Sequence, residues 1–106
     1  LLPKSLHTLK FGWNFNKSID LLPESLHTIE LGNNFNKTVD KLPESLHTLI
    51  LGYYFNQSVD FLPESLEILN IKYNYEIKRI NDLPSSIKNF IIILSHYENK
   101  SLIFAS

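Results

Sequence analysis

Serine, histidine and aspartate, the residue types of a hydrolase triad, recur together in this chain of 106 residues. Ser5, His7 and Asp20 form the first set, and the same three types return twenty and forty positions later. An active site needs one preorganised constellation, whereas three evenly spaced copies indicate a repeated structural role. The serine continues as Ser65 and Ser86 in units that have lost the histidine. The sequence therefore predicts that the chain is not an enzyme, with no catalytic residues, and that each serine makes a loop hydrogen bond near a Leu-Pro turn.

The repeated histidines and aspartates are also potential metal ligands. Histidine stands at the same place in three units, just before the predicted strand: His7, His27 and His47. If the units stack, these imidazoles lie about 5 Å apart. Their column contains one carboxylate, Glu67, which replaces the fourth histidine. The aspartates lack the glycine-rich nonapeptides of calcium-binding solenoids. We expect a solvated histidine column that mild acid loosens by charge repulsion, and neither a metal nor a cofactor.

Composition narrows the classes of function. The formal net charge is −1, and the predicted outward column at the middle of the strands carries charges that cancel: Lys10, Glu30, Ile50, Asn70 and Ile91. This balance argues against nucleic-acid and membrane partners. Cysteine is absent, which excludes disulfides and favours an intracellular, cytoplasmic location. Because the chain opens in phase with its later repeats and without Met, we expect it to be a segment of a longer protein.

A fixed period organises the whole chain. Leu-Pro recurs at 2–3, 22–23, 42–43, 62–63 and 83–84, and each unit contains all or part of L-x-x-L-x-L-x-x-N. This is the leucine-rich-repeat signature. The alternation of apolar and outward residues predicts one short strand per unit, and the proline-containing return leaves too few residues for a packed helix.

The predicted fold is an all-β-leaning α/β solenoid with about five repeats, a parallel concave sheet and an extended, turn-like convex side. We expect strands near 8–11, 28–31, 48–51, 68–71 and 89–93. Residues 1–82 hold four repeats (2–21, 22–41, 42–61 and 62–82). Residues 83–106 hold a degenerate last repeat and a C-terminal cap, with Tyr97, Leu102, Ile103 and Phe104 folding over the last strand.

The repeated string LPESL…LxLGxxFN resembles the FNIP repeat, a leucine-rich-repeat variant of amoebae and giant viruses. The resemblance spans about residues 2–82, although this unit is about two residues shorter than the family's, and FNKS, FNKT and FNQS stand where Phe-Asn-Ile-Pro is usual. Effector solenoids of pathogenic bacteria share the strand motif and the Leu-Pro return, but lack the Phe-Asn pair. The resemblance implies a protein-binding module, and its frequent association with F-box domains implies substrate capture for ubiquitination. A structural spacer with no specific ligand is the alternative.

The Phe-Asn pairs are predicted to hold the units together. One ring per unit should stack on the next, and the asparagine that follows should form a ladder: Phe15, Phe35, Phe55 and Tyr75, with Asn16, Asn36 and Asn56. A second asparagine column competes for the ladder position: Asn14, Asn34 and Asn74, interrupted by Tyr54.

The candidate partner-binding residues come from outward columns that vary between units. They are Trp13, Ile50, Tyr53 and Tyr73. Structural columns hardly vary, so variation marks the places that packing leaves free, and Trp and Tyr anchor interfaces at small entropic cost. The competing hypothesis is that these rings only cover the edge of the neighbouring strand.

Overall fold

One continuous β-sheet runs through the protein. The computed structural model describes residues 2–72, 91–95 and 101–105, and in these residues it contains six strands and no helix. The strands are β1 (Thr8–Lys10), β2 (Thr28–Glu30), β3 (Thr48–Leu51), β4 (Ile68–Lys72), β5 (Ile91–Ser95) and β6 (Ser101–Ala105). Each strand lies beside its neighbour in the sequence, in the order β1 to β6.

The first five strands are parallel, and the first four pair in the register of the twenty-residue period. Thr8 lies opposite Thr28, Thr28 opposite Thr48, and Thr48 opposite Ile68. Successive units therefore stack without an offset, and equivalent residues form columns that run across the sheet. The predicted solenoid with a parallel sheet is confirmed.

The last two strands correct the prediction. The expected alignment put Phe90 opposite Leu69, whereas the structure pairs Ile92 with Leu69. Ile93, rather than Ile91, is therefore the partner of Asn70. The shift is two residues, so the alternation of faces is preserved although the column changes. The Leu-Pro at 83–84 did not locate the fifth strand correctly, because the register is fixed by the pairing of the strands themselves. Five consecutive residue pairs join β4 to β5.

The predicted cap is itself part of the sheet. Leu102, Ile103 and Phe104 belong to β6, which pairs antiparallel with β5 and extends the sheet by one strand rather than folding over it. Tyr97 lies outside the described residues. The division into units 2–21, 22–41, 42–61 and 62–82, followed by 83–106, stays a prediction.

Two tight turns shape each of the first three repeats. In the first, the proline carbonyl accepts a hydrogen bond from the leucine three residues later, as between Leu46 N and Pro43 O at 3.2 Å. In the second, the glycine carbonyl accepts from the phenylalanine three residues later, as between Phe35 N and Gly32 O at 3.3 Å. This i to i+3 bonding is that of β-turns. Turns at both ends of the strand leave the return as extended chain, which is why twenty residues suffice.

The core lies between the sheet and this extended return. Its fully enclosed members in the second and third units are Leu26, Ile29, Leu31, Phe35, Leu46, Leu49, Leu51 and Phe55, each exposed by 2% or less. Val39 and Val59 cover the core from the return side. Burial of each large side chain contributes about 1.5–3 kcal/mol, so the repeated leucine, isoleucine and phenylalanine columns supply most of the stability.

The glycine column sets how closely the units approach. A Cβ added at Gly32 would lie 2.5 Å from the carbonyl oxygen of Gly12, and one at Gly52 would strike the carbonyl oxygen of Gly32. The second turns therefore stack backbone on backbone, with no room for a side chain between them.

Candidate binding surface

The serines of the serine, histidine and aspartate sets bind the preceding repeat unit. Ser45 Oγ donates to Leu26 O at 2.7 Å, and Ser65 Oγ donates to Leu46 O at the same distance. The hydroxyl thus binds the preceding unit instead of its own loop, at the end of the Leu-Pro turn. Its proton is engaged by a backbone carbonyl, so these serines join units and are poor candidates for nucleophiles.

The histidines form the exposed column that the repeat predicts. The rings of His7 and His27 are 5.0 Å apart with an interplanar angle of 8°, and those of His27 and His47 are 5.2 Å apart. Rings stacked in parallel direct their nitrogen lone pairs side by side, not towards one point. Within the described residues, no group of three His, Cys, Asp or Glu side chains is arranged to hold a metal ion.

The phenylalanine rings stack from unit to unit behind the second turn. Phe15 and Phe35 have centroids 6.2 Å apart, and Phe35 and Phe55 are 6.3 Å apart with nearly parallel planes. Phe35 and Phe55 are fully buried, whereas Phe15 is partly exposed. Tyr75 lies outside the described residues.

Both asparagine columns connect units. Asn36 N donates to Asn16 Oδ1 and Asn56 N donates to Asn36 Oδ1, each at 2.8 Å. In the competing column, Asn34 Nδ2 donates to Asn14 Oδ1 at 3.0 Å. The first column binds backbone groups, and the second joins side chain to side chain. The described members of both columns are half-buried or exposed, so they lie outside the enclosed core.

The candidate partner-binding residues lie along the sheet and its second turn. Trp13 begins the second turn of the first unit and is 66% exposed. Tyr53 holds the same place two units later and is half-buried, with its ring 5.3 Å from that of Tyr54. Ile50 is half-buried in β3 and pairs in register with Glu30. Tyr73 lies outside the described residues.

Asn33 connects the two described aromatic positions. It occupies the turn position between Trp13 and Tyr53, and its Oδ1 accepts a hydrogen bond from Tyr53 N at 3.2 Å. Adjacent strands are about 4.8 Å apart, so Trp13 and Tyr53 are separated by about 10 Å along the solenoid. The turn edge therefore presents a polar amide between two aromatic side chains.

Further exposed apolar residues were missed by the sequence analysis. Tyr54 is 57% exposed beside Tyr53, and Leu21 and Phe61 are 96% and 69% exposed at the return before the Leu-Pro turn. The signal that could have found them is the same variation between units: Leu21 and Phe61 share their column with Lys41, and Tyr54 interrupts an asparagine column. Lys10 and Glu30 form an ion pair at 3.8 Å on the outward face.

Comparisons with known proteins agree with this architecture. The model of the family described as FNIP Repeat matches residues 1–34, 15–52 and 35–74. Among solved structures, the chain is similar to CroV588 of a giant virus, described as a novel circular LRR protein, with 36% identity and a TM-score of 0.71. The similarity covers 91% of this chain and 15% of that chain. No match was found among curated proteins. In the described residues, no helix is long and apolar enough to cross a bilayer.

Proposed function

Because the chain belongs to the FNIP repeat family, we propose that it is a non-catalytic module that binds a protein partner. Repeat families of this type are generally non-catalytic, and protein interaction is the role typical of them. The chain spans 15% of the length of the solved structure that it resembles. The binding site for a partner is therefore inferred from the surface of this chain alone.

One observation carries the proposal: the columns that pack are nearly constant, whereas the turn-edge column varies and none of its described members is fully buried. The phenylalanine column is the same residue in three units, and its second and third members, Phe35 and Phe55, are fully buried. The turn-edge column reads Trp13, Asn33 and Tyr53, and its first member is 66% exposed. Packing does not require an exposed tryptophan, and a partner that covers Trp13 gains the free energy of burying its apolar surface.

The proposed contact surface consists of Trp13, Ile50, Tyr53 and Tyr73. Tryptophan and tyrosine contribute large contact areas at low cost in conformational entropy, and they are enriched among residues that dominate binding energy. Ile50 adds an apolar side chain on the strand that leads to Tyr53. The stacked, hydrogen-bonded turns hold Trp13 and Tyr53 on a rigid frame, which lowers the entropic cost of binding.

Paired measurements on alanine variants test the proposal. The wild-type chain is used to isolate a partner, and Kd for the purified partner is then measured with Trp13→Ala and Tyr53→Ala, alongside thermal melting. We expect each variant to weaken binding at least tenfold, with a change in Tm below about 2 °C for Trp13→Ala. Phe61→Ala is the matched control, because it removes an equally exposed aromatic ring from the return side.

The result also separates this function from a structural spacer. A spacer retrieves no specific partner, and its Trp13→Ala variant behaves like wild type. If Tyr53→Ala lowers Tm by several degrees and leaves Kd unchanged, the tyrosine belongs to the packing of the turns and the contact surface is wrong.

A finer proposal concerns the pathway. The family resemblance suggests that the bound protein is a substrate captured for an F-box-type ubiquitin ligase, inside the cell. The measurement is ubiquitination of the isolated partner in cells that express the full-length protein, compared with the Trp13→Ala variant. Equal ubiquitination in both would contradict it.

A further inference from the structure

Asn70 lies on the outward face of β4, with isoleucine opposite it on both neighbouring strands. Leu69 and Ile71, which precede and follow it, are buried in the core, whereas Asn70 is half-buried. The residues opposite Asn70 in the register are Ile50 on β3 and Ile93 on β5. Isoleucine has no polar side-chain atom, so neither of these side chains can give Asn70 a hydrogen bond.

The amide oxygen of Asn70 is an unused acceptor. Asn70 Oδ1 is buried, and none of the described residues donates a hydrogen bond to it. By contrast, the side-chain oxygens of Asn16, Asn33 and Asn36 each accept a backbone N–H of the next unit. A buried acceptor without a partner destabilises the folded chain, so an asparagine at this position needs a reason other than folding.

The surroundings of Asn70 favour a neutral donor. The two charged residues of its outward column, Lys10 and Glu30, are paired with each other at 3.8 Å, and they lie on β1 and β2. Ile68 lies two residues before Asn70 on the same face and is 37% exposed. A cationic donor would lose its hydration against the isoleucine side chains without a free carboxylate of this column to compensate it, whereas a neutral N–H loses much less.

We infer that Asn70 is a specificity-determining residue of the outward face, and that its Oδ1 accepts a hydrogen bond from a neutral amide N–H of an extended protein segment. Apolar side chains of that segment cover Ile50 and Ile68. The inference rests on the proposed function and extends its contact surface from β3 to β4. Because the side chain is half-buried, rotation about its χ angles brings the oxygen to the surface.

The unpaired state of the oxygen is what provides the specificity. An acceptor that has no water to lose gains more from a donor than one that must first be dehydrated. A segment without a donor at this point leaves the oxygen buried and unpaired, and is therefore rejected.

One substitution should change stability and binding in opposite directions. Asn70→Leu keeps the size of the side chain and removes the unpaired acceptor, so we expect Tm to rise by about 2 °C or more. The same variant should bind the segment at least about tenfold more weakly, because the hydrogen bond is lost. A residue that served only the fold would lower Tm when it is replaced.

The probe for binding is a peptide selected on the full chain from a random-peptide phage library. The Ile50→Glu variant is used during selection to remove peptides that bind elsewhere. Kd of the synthetic peptide is measured for the wild type, for Asn70→Leu and for the control Thr28→Val, which removes a polar group from the same face two strands away. We expect the control to bind like the wild type.

Methylated peptides identify the donor. Each backbone N–H of the selected peptide is replaced in turn by N–CH3. At one position we expect the change to weaken binding to the wild type by about the factor that Asn70→Leu does, and to have no further effect on that variant. This measurement uses the wild-type chain, so it decides the question even if Asn70→Leu folds poorly.

Three outcomes overturn the inference. One is a fall in Tm for Asn70→Leu, which would show that the amide stabilises the fold. Another is a peptide that binds Asn70→Leu as tightly as the wild type. The third is a selection from which no peptide remains after removal with Ile50→Glu. The proposed function fails separately: a purified protein partner that is weakened by Trp13→Ala but not by Asn70→Leu leaves it in place and contradicts the role of Asn70 alone.

Discussion

Asn36 connects three consecutive units. Its backbone N–H donates to Asn16 Oδ1, and its own Oδ1 accepts from the N–H of Asn56, both at 2.8 Å. Gln57 Nε2 adds a second donor to the same oxygen at 3.1 Å. A backbone N–H that has left the sheet needs an acceptor, and an asparagine Oδ1 of this column provides one between the first and second units and between the second and third.

The first prediction compares the two asparagine columns. Asn36→Ala removes the acceptor of the backbone N–H of Asn56, which water can reach, and should lower the free energy of unfolding by about 0.5–1.5 kcal/mol, the net value of one hydrogen bond. Asn34→Ala removes a contact between two side chains near the surface, so its cost should be smaller, below about 1 kcal/mol. Urea unfolding of both variants measures the difference. If Asn34→Ala is the more damaging, the ladder that holds the units is the other column.

The sequence predicts which residues repeat, but not which atoms of the neighbouring units they contact. The serine column was identifiable as structural because it continues after the histidine ends, at Ser65. Its partner, the leucine carbonyl of the preceding unit, depends on the close stacking of units, which no spacing within a unit specifies. The close approach at Gly32 was missed for the same reason, since the obstructing atom belongs to another unit.

At the scale of elements, a ring in the phenylalanine stack is best buried where other rings pack on both of its sides. Phe35 lies between Phe15 and Phe55, at 6.2 and 6.3 Å, and is fully buried. Phe15 has Phe35 on one side and Phe11 at 4.2 Å, within its own unit. The stack is thus more complete in the second unit than in the first.

The second prediction follows from this difference. Phe35→Ala should lower the free energy of unfolding by about 3–5 kcal/mol, because it leaves a cavity in the middle of the stack. Phe15→Ala should cost about half as much, since the ring is partly exposed in the native state and its loss creates less of a cavity. Denaturant unfolding measures both variants. If Phe15→Ala and Phe35→Ala lose the same free energy of unfolding, Phe15 is packed as fully as Phe35 and the prediction is wrong.

Strand positions were predictable where the repeat is regular. The alternation around Leu9, Ile29 and Leu49 places the strand and its inward residue correctly in each unit. The fifth strand was misplaced by two residues because its neighbourhood, NFIIILS, is apolar at consecutive positions and does not identify one inward residue. Pairing with β4 decides the register there.

At the scale of the whole molecule, the sheet has two different ends. At one end of the described sheet, β1 pairs in parallel with β2. At the other, β6 reverses the direction of the sheet and pairs with β5 over five residues. Because the units repeat, stability propagates from neighbour to neighbour, and a change at either end should act mainly on the units closest to it.

The third prediction tests the reversed strand. Deletion of residues 101–106 removes β6 and leaves β5 as the edge of the sheet, with a row of backbone N–H and C=O groups unpaired. We expect Tm to fall by at least several degrees and the shortened chain to aggregate, measured by thermal melting and light scattering. Removal of Ser106 alone is the control, because it lies beyond the end of β6 at Ala105. The pairing adds one neighbour interface to the array, so losing it lowers stability even when the five parallel strands are intact. An unchanged melting curve for the chain without β6 would show that pairing with β6 does not stabilise β5, and that the parallel strands alone determine stability.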